Sequence, residues 1–165
     1  MTRARAVPAI EVCLSRSEIE RAKREGRRRQ EFSAHRADTH GFVGDGEIIH
    51  VQGCYGEIAV AALRGSSWVG FSPDFEELRS DVDGLQVRTT RYPTGKLLLH
   101  PKDPDDQRFV LCRTHLFPTV LVVGWVWGEE AKVKENWRRA SPQDRREPCY
   151  WVPNESLRDP RELRP

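Results

Sequence analysis

Four residues carry groups that could do chemistry together: Glu57 in "GEIAVAAL", Asp81 in "RSDVDG", and Gln86 and Arg88 in "LQVR". Two carboxylates and an amide oxygen are hard donors of the kind that hold a small divalent cation. An arginine beside them stays protonated, so it can hold an anion or steady developing charge but cannot act as a base. A turn sets the spacing of the last three. Asp83-Gly84 is a strong signal for a two-residue hairpin loop, because both central residues of a type I′ turn need positive φ. Placing the loop there pairs Val82 with Leu85, Asp81 with Gln86 and Arg79 with Arg88. Directly opposed residues project on the same face. Asp81, Gln86 and Arg88 are therefore expected on one face, with Val82, Leu85 and Val87 on the other, toward the core. A one-residue slip reverses the faces and would put Asp83 in the place of Asp81 as a ligand.

Glu57 has to be delivered by a helix. The stretch "HVQGCYGEIAVAAL", residues 50 to 63, is small and apolar on most sides and predicts a buried helix. Gly53 lies one turn before Glu57, and Val60 and Ala61 lie one turn after it, so the carboxylate shares a face with small residues. An ionised carboxylate in such surroundings needs a positive partner. One of the many arginines and a metal ion both meet that need.

Other elements frame these two. "SEIE" reads as a capping box in which Ser17 and Glu20 satisfy the first amides of a helix running to about residue 33. Its apolar stripe, Ile19, Ala22 and Gly26, is thin, so most of the helix is expected to face water or a partner. It also carries "RAKREGRRRQ", and Arg24, Arg27, Arg28 and Arg29 are its candidate phosphate contacts; a solvated charged face is the other reading of that run. Residues 1 to 14 read as a weakly ordered lead-in. After the hairpin, "LQVRTTRY", "KLLLH", "RFVLCRTH" and "TVLVVGWVWG" read as sequential antiparallel strands. "EEAKVKENWRR" then reads as a helix, "PCYWVP" as a short strand, and Asn154 as the start of a helical turn. Helices first, a mixed sheet in the middle and a helix after it predict an α+β or α/β domain. The expected division is a basic segment and helix over residues 1–40, a core over 41–153 and a polar tail over 154–165.

The composition fits this plan. A chain of 165 residues suits one domain, and 38% hydrophobic residues, 32% charged residues and a mean hydropathy of -0.67 suit a wet surface. "TVLVVGWVW" and "EIAVAAL" fall short of the ~18 apolar residues that span a bilayer, and "MTRARAVPAIEVCLSRSE" lacks the apolar stretch of an export signal. A cytoplasmic protein without a membrane partner is expected. Cys13, Cys54, Cys112 and Cys149 are scattered and predict reduced thiols. The net charge of +2 gives no global field toward nucleic acid, but a basic end beside the acidic "SPDFEELRSD" suits a chain that grips phosphates with one part and a cation with another.

The order of glycine-bearing helix acid, hairpin aspartate and strand tripeptide over about residues 48–90 resembles the PD-(D/E)xK nuclease superfamily. More loosely, the later segments look like small phage-associated proteins with a "DVGG-x-(E/Q)VR" core. The resemblance implies a restriction-endonuclease-like mixed sheet flanked by helices. Residue by residue, it implies Glu57 as the helix acid, Asp81 as the metal-binding aspartate, and Gln86 to Arg88 in the place of the (D/E)xK tripeptide. It further implies Mg²⁺ or Mn²⁺ held by Glu57, Asp81, the Gln86 oxygen and the Val87 carbonyl, with DNA as the partner and hydrolysis of its phosphodiester bonds as the reaction. A homodimer is compatible with it. Two departures stand out. Glutamine for the acid is similar to the Q-x-K variant of Mrr-like members and removes one negative charge. Arginine for lysine leaves Arg88 an electrophile rather than a base. A protein that keeps the fold and binds nucleic acid without cutting it, or serves as a phage accessory, is the alternative. A third reading makes Trp125, Trp127, Trp137 and Trp151 a partner surface, although tryptophans of this kind more often fill a core.

Overall fold

A computed structural model describes residues 7–34, 46–70 and 80–165. Ser15, not Ser17, opens the first helix. Its hydroxyl accepts from the Glu18 amide at 3.2 Å, and the Glu18 carboxylate accepts from the Ser15 amide at 2.7 Å. "SRSE" matches the same capping pattern as "SEIE" two residues later, and the earlier match starts helix α1, Arg16–Ala34. The thin stripe packs inward: Ala22 and Gly26 are buried, Gly26 against helix α2, Gly46–Arg64. Gly26 marks the crossing. A Cβ there would lie 2.8 Å from the Val51 nitrogen and 2.9 Å from its Cα, so only a residue without a side chain lets the two backbones meet.

The main sheet has the order β1-β5-β4-β2. Strand β1, Ile10–Cys13, lies in the stretch expected to be a loose lead-in, and pairs antiparallel with β5, Thr119–Trp127, through Ile10 opposite Val122 and Val12 opposite Val120. Strand β4, Arg108–Leu116, is antiparallel to β5, as expected, but β2, Leu85–Thr90, runs parallel to β4. A parallel pair needs a crossover. The intervening strand β3, Leu97–Leu99, therefore leaves the main sheet and joins a second, antiparallel one. There it pairs with β7, Cys149–Val152, which also pairs with the two-residue β6, Trp137–Arg138.

The reason for this diversion is burial on both faces of the main sheet. One face packs Leu85, Val87, Val110, Cys112, Val120 and Val122 against the helices. The other packs Phe109, Leu111 and Val126 against Leu97, Leu99 and Val152 of the second sheet. Each fully buried side chain of this size is worth about 1.5–3 kcal/mol. The result is a mixed α/β architecture in which the main sheet carries helices on one side and a small sheet on the other.

The helix expected over "EEAKVKENWRR" is only one turn, α3, Gly128–Ala131, followed by a 3-10 turn at Lys134–Asn136. The buried Asn136 side chain donates to the Ala131 carbonyl at 2.9 Å and closes that turn. Residues 154–165, set apart by their polarity, bury Leu157, Pro160 and Leu163. Arg158 exchanges backbone hydrogen bonds with Trp125, at 2.8 and 3.2 Å, and Arg64 donates to the Leu163 carbonyl at 2.7 Å. The four cysteines are free thiols. Among the described residues, no helix is long and apolar enough to cross a membrane.

Candidate functional site

Helix α2 is sandwiched between α1 and the main sheet, and its consecutive residues divide the two contacts. Gly56 faces the sheet, where a Cβ would fall 3.2 Å from a Val87 methyl and 3.3 Å from the Cys112 Cβ. Glu57, next in sequence, turns toward α1 and is only 3% exposed. Its positive partner is Arg29. The guanidinium donates to both carboxylate oxygens, at 2.6 and 2.7 Å, in the bidentate geometry that strengthens such pairs. Trp68 donates its indole N–H to one of them at 2.9 Å. Burial by itself would lower the Arg29 pKa, but its hydrogen bonds to Glu57 and the charge of that carboxylate more than reverse this and raise it. His50 and Cys54 lie on the same helix near the pair. Burial first, and the Arg29 charge second, lower the His50 pKa, while burial pushes the Cys54 thiol up to about 12. Both are neutral at pH 7, and the Asp81 carboxylate is the further charge that reaches the Arg29–Glu57 pair.

Asp81 sits at the lip of the hairpin. The predicted turn is present: Asp83 and Gly84 have φ of 46° and 77°, and Val82 bridges Leu85. The Asp81 amide donates to the Leu85 carbonyl at 2.9 Å. Its carboxylate accepts from the Val87 amide at 2.8 Å, which places it at the edge of β2. Burial and the nearby Glu57 charge raise its pKa to about 6, against the opposing pull of the Val87 hydrogen bond, Arg88 and Arg29. Asp83 is the turn residue and is itself exposed, 3.7 Å from the half-buried Arg64. Arg79, expected opposite Arg88, lies outside the described residues.

Gln86 and Arg88 share a face, as the alternation of β2 requires, but it is the face opposite Glu57. They pair in register with Phe109 and Leu111 and point toward the second sheet. The Gln86 amide donates to Gln107 at 2.7 Å. Arg88 donates to Asp103 at 3.1 Å, and its guanidinium lies over the Phe109 ring at 5.3 Å. Asp103 in turn accepts from the His100 amide at 2.8 Å, which fixes the loop that holds it.

The four candidate residues are thus divided by the sheet. Glu57 is on the helix side, Asp81 on the strand edge, and Gln86 and Arg88 on the far side. The two carboxylates, Glu57 and Asp81, are near enough for the Glu57 charge to raise the Asp81 pKa, and the helix acid already has a cation, the Arg29 guanidinium. Trp68 is the site residue that sequence reasoning missed, and Arg29, read there as a phosphate contact, is the partner of Glu57. The basic run and the buried acid were both visible, but their pairing spans 28 positions and depends on the helix crossing at Gly26.

Arg29 is therefore withdrawn from the basic surface it was grouped with. Arg24, Arg27 and Arg28 are exposed on α1. Two of them meet carboxylates, Arg27 at Glu47 (3.1 Å) and Arg28 at Glu25 (2.9 Å), and Lys23 meets Glu20 at 3.4 Å. Of the four tryptophans considered as a partner surface, Trp125 is a core residue, packed edge-on against Trp127. Trp137 is exposed and lies against Tyr150, with ring centroids 4.9 Å apart and the planes tilted by 59°. No family model, curated protein or solved structure matches the chain.

Proposed function

We propose that this chain is a nucleic-acid-binding protein built on a PD-(D/E)xK-like plan whose metal centre has been replaced by an internal ion pair. The observation that carries the reading is the bidentate Arg29–Glu57 contact, completed by Trp68. A buried carboxylate already neutralised in this way offers a metal little, because displacing the guanidinium would strand a second charge in the interior. The order of motif residues supports nucleic acid as the partner, as do the exposed Arg24, Arg27 and Arg28 on α1.

Metal-dependent phosphodiester hydrolysis is the competing reading. The observation in its favour is Asp81, a carboxyl raised to about 6 beside a second acid, which is where a divalent cation would be welcome. Incubation of the purified protein with linear, circular and single-stranded DNA plus Mg²⁺ or Mn²⁺ separates the two. The expected result is salt-sensitive retention without cleavage. Cleavage by the wild type that is lost in Asp81→Ala and Glu57→Ala would establish the nuclease instead, and absence of binding at low salt to every nucleic acid would end both readings.

A further inference from the structure

We infer that the loop Arg91–Lys96, between β2 and β3, is a rigid binding tip for single-stranded nucleic acid, with Tyr92 as the stacking residue. The inference rests on the nucleic-acid reading above and names the element that makes the contact. Three observations converge on this loop.

The first is charge. From Gly84 to Lys102 the sequence holds no aspartate or glutamate, while it holds Arg88, Arg91, Lys96 and Lys102. Arg88 is committed to Asp103. Arg91 and Lys96 are exposed, and among the described residues neither makes an ion pair with a carboxylate. Arg113, which sits beneath the loop where Thr90 pairs with β4, has its pKa lowered by burial, with no acid offsetting the shift. This contrasts with α1, where Lys23, Arg27 and Arg28 each have an acidic neighbour. Unpaired cations release counterions when they meet phosphate, whereas paired ones must first break a contact.

The second is the aromatic. Tyr92 is 59% exposed, a poor place for a large ring that contributes to folding. The Arg91 guanidinium lies over it at 5.4 Å, so one face of the ring is backed by a cation and the ring presents the flat, electron-rich surface on which an unstacked base can lie.

The third is rigidity. The loop is tied at both ends by hydrogen bonds. The Tyr92 amide donates to the Thr90 hydroxyl at 3.2 Å, and the Gly95 amide donates to the Tyr92 carbonyl at 3.1 Å, closing a turn through Pro93. Arg113 donates twice to the Gly95 carbonyl, at 3.1 and 2.7 Å, and once to Asn154 at 3.1 Å, anchoring the loop to the 3-10 turn that follows β7. Gly95 packs so closely on Thr90 that a Cβ would lie 2.9 Å from the Thr90 Cβ. A preorganised loop loses little entropy on binding. A single exposed ring selects single strands, because a duplex keeps its base faces stacked on one another.

Fluorescence anisotropy with a labelled oligothymidylate and a labelled duplex, each titrated with wild type, Tyr92→Ala, Tyr92→Phe and Lys96→Ala, tests the inference. Tyr92→Ala is expected to weaken oligothymidylate binding roughly 5- to 150-fold, the range spanned by stacking one base, and to leave duplex affinity unchanged. Tyr92→Phe, which keeps the ring, is expected within about twofold of wild type on the same ground. Lys96→Ala is expected to lower the slope of log affinity against log salt by about 0.7, the single-strand value for one phosphate contact. Wild-type binding that Tyr92→Ala leaves intact, or loses equally for duplex and single strand, overturns the loop's role while the nucleic-acid reading stands. Wild type that binds neither probe at low salt removes both.

Discussion

Replacing Asp81 with asparagine should make the protein more stable at neutral pH. The carboxyl is held by the Val87 amide at the edge of β2, where burial and the nearby Glu57 raise its pKa from an ordinary 3.8 to about 6. Between those two values the folded state binds more protons than the unfolded state, so stability falls as pH rises through that window and stays lower above it. The shift is about 2 units, and at about 1.36 kcal/mol each this amounts to roughly 3 kcal/mol as an upper limit. Asparagine keeps an oxygen for the Val87 amide but carries no charge at any pH. Urea unfolding at pH 4, 5, 6 and 7.5 should therefore show wild type and Asp81→Asn nearly equal at pH 4 and diverging upward, with the variant more stable by at most about 3 kcal/mol at pH 7.5. A variant that is less stable at pH 7.5, or that keeps the wild-type slope between pH 4 and 6, would refute the account of Asp81. The same titration with added Mg²⁺ also bears on function. An ion bound at the carboxylates would raise wild-type stability with concentration, and on the binding-protein reading no such rise is expected.

Three further outcomes follow from the packing. Arg29→Met strands Glu57 as a lone buried acid, so a loss of about 3–5 kcal/mol is expected at pH 7.5; a loss below about 1 kcal/mol in urea unfolding would show the pair to be dispensable. Gly26→Ala pushes a methyl into the Val51 backbone and should cost about 1–3 kcal/mol of unfolding free energy, and an unchanged urea midpoint would mean the helices cross elsewhere. Ser15→Ala should cost about 1 kcal/mol through loss of the helix cap, and Ser17→Ala less than about 0.5 kcal/mol; reversed effects in thermal unfolding would return the cap to Ser17.

What the chain disclosed about itself depended on how local the signal was. The Asp83-Gly84 turn and the Val82–Leu85 pairing were legible because positive φ at two neighbouring positions is a demand few sequences meet. The burial of α2 was legible in its small, apolar residues. The cap was legible in type but not in position, since Ser15 and Ser17 each precede a glutamate at the right spacing. The side of the sheet on which Gln86 and Arg88 lie was not legible. Alternation tells which residues share a face, but here both faces are covered, by helices on one side and by the second sheet on the other, so the pattern holds no pointer to Glu57. The parallel pairing of β2 with β4 was hidden for a related reason: β3 resembles one more strand of a meander until Val152, more than 50 positions further along, supplies its partner. Arg29 looked like any other member of a basic run, and only the helix crossing singles it out.

The contact between Arg64 and the Leu163 carbonyl joins residues 99 positions apart, and Leu163 itself has no exposed surface. The helix-side core therefore stays open along one flank until residue 163 has been synthesised and has cleared the ribosome. During translation α1, α2 and the first strands wait with apolar surface uncovered until that segment emerges to cover it.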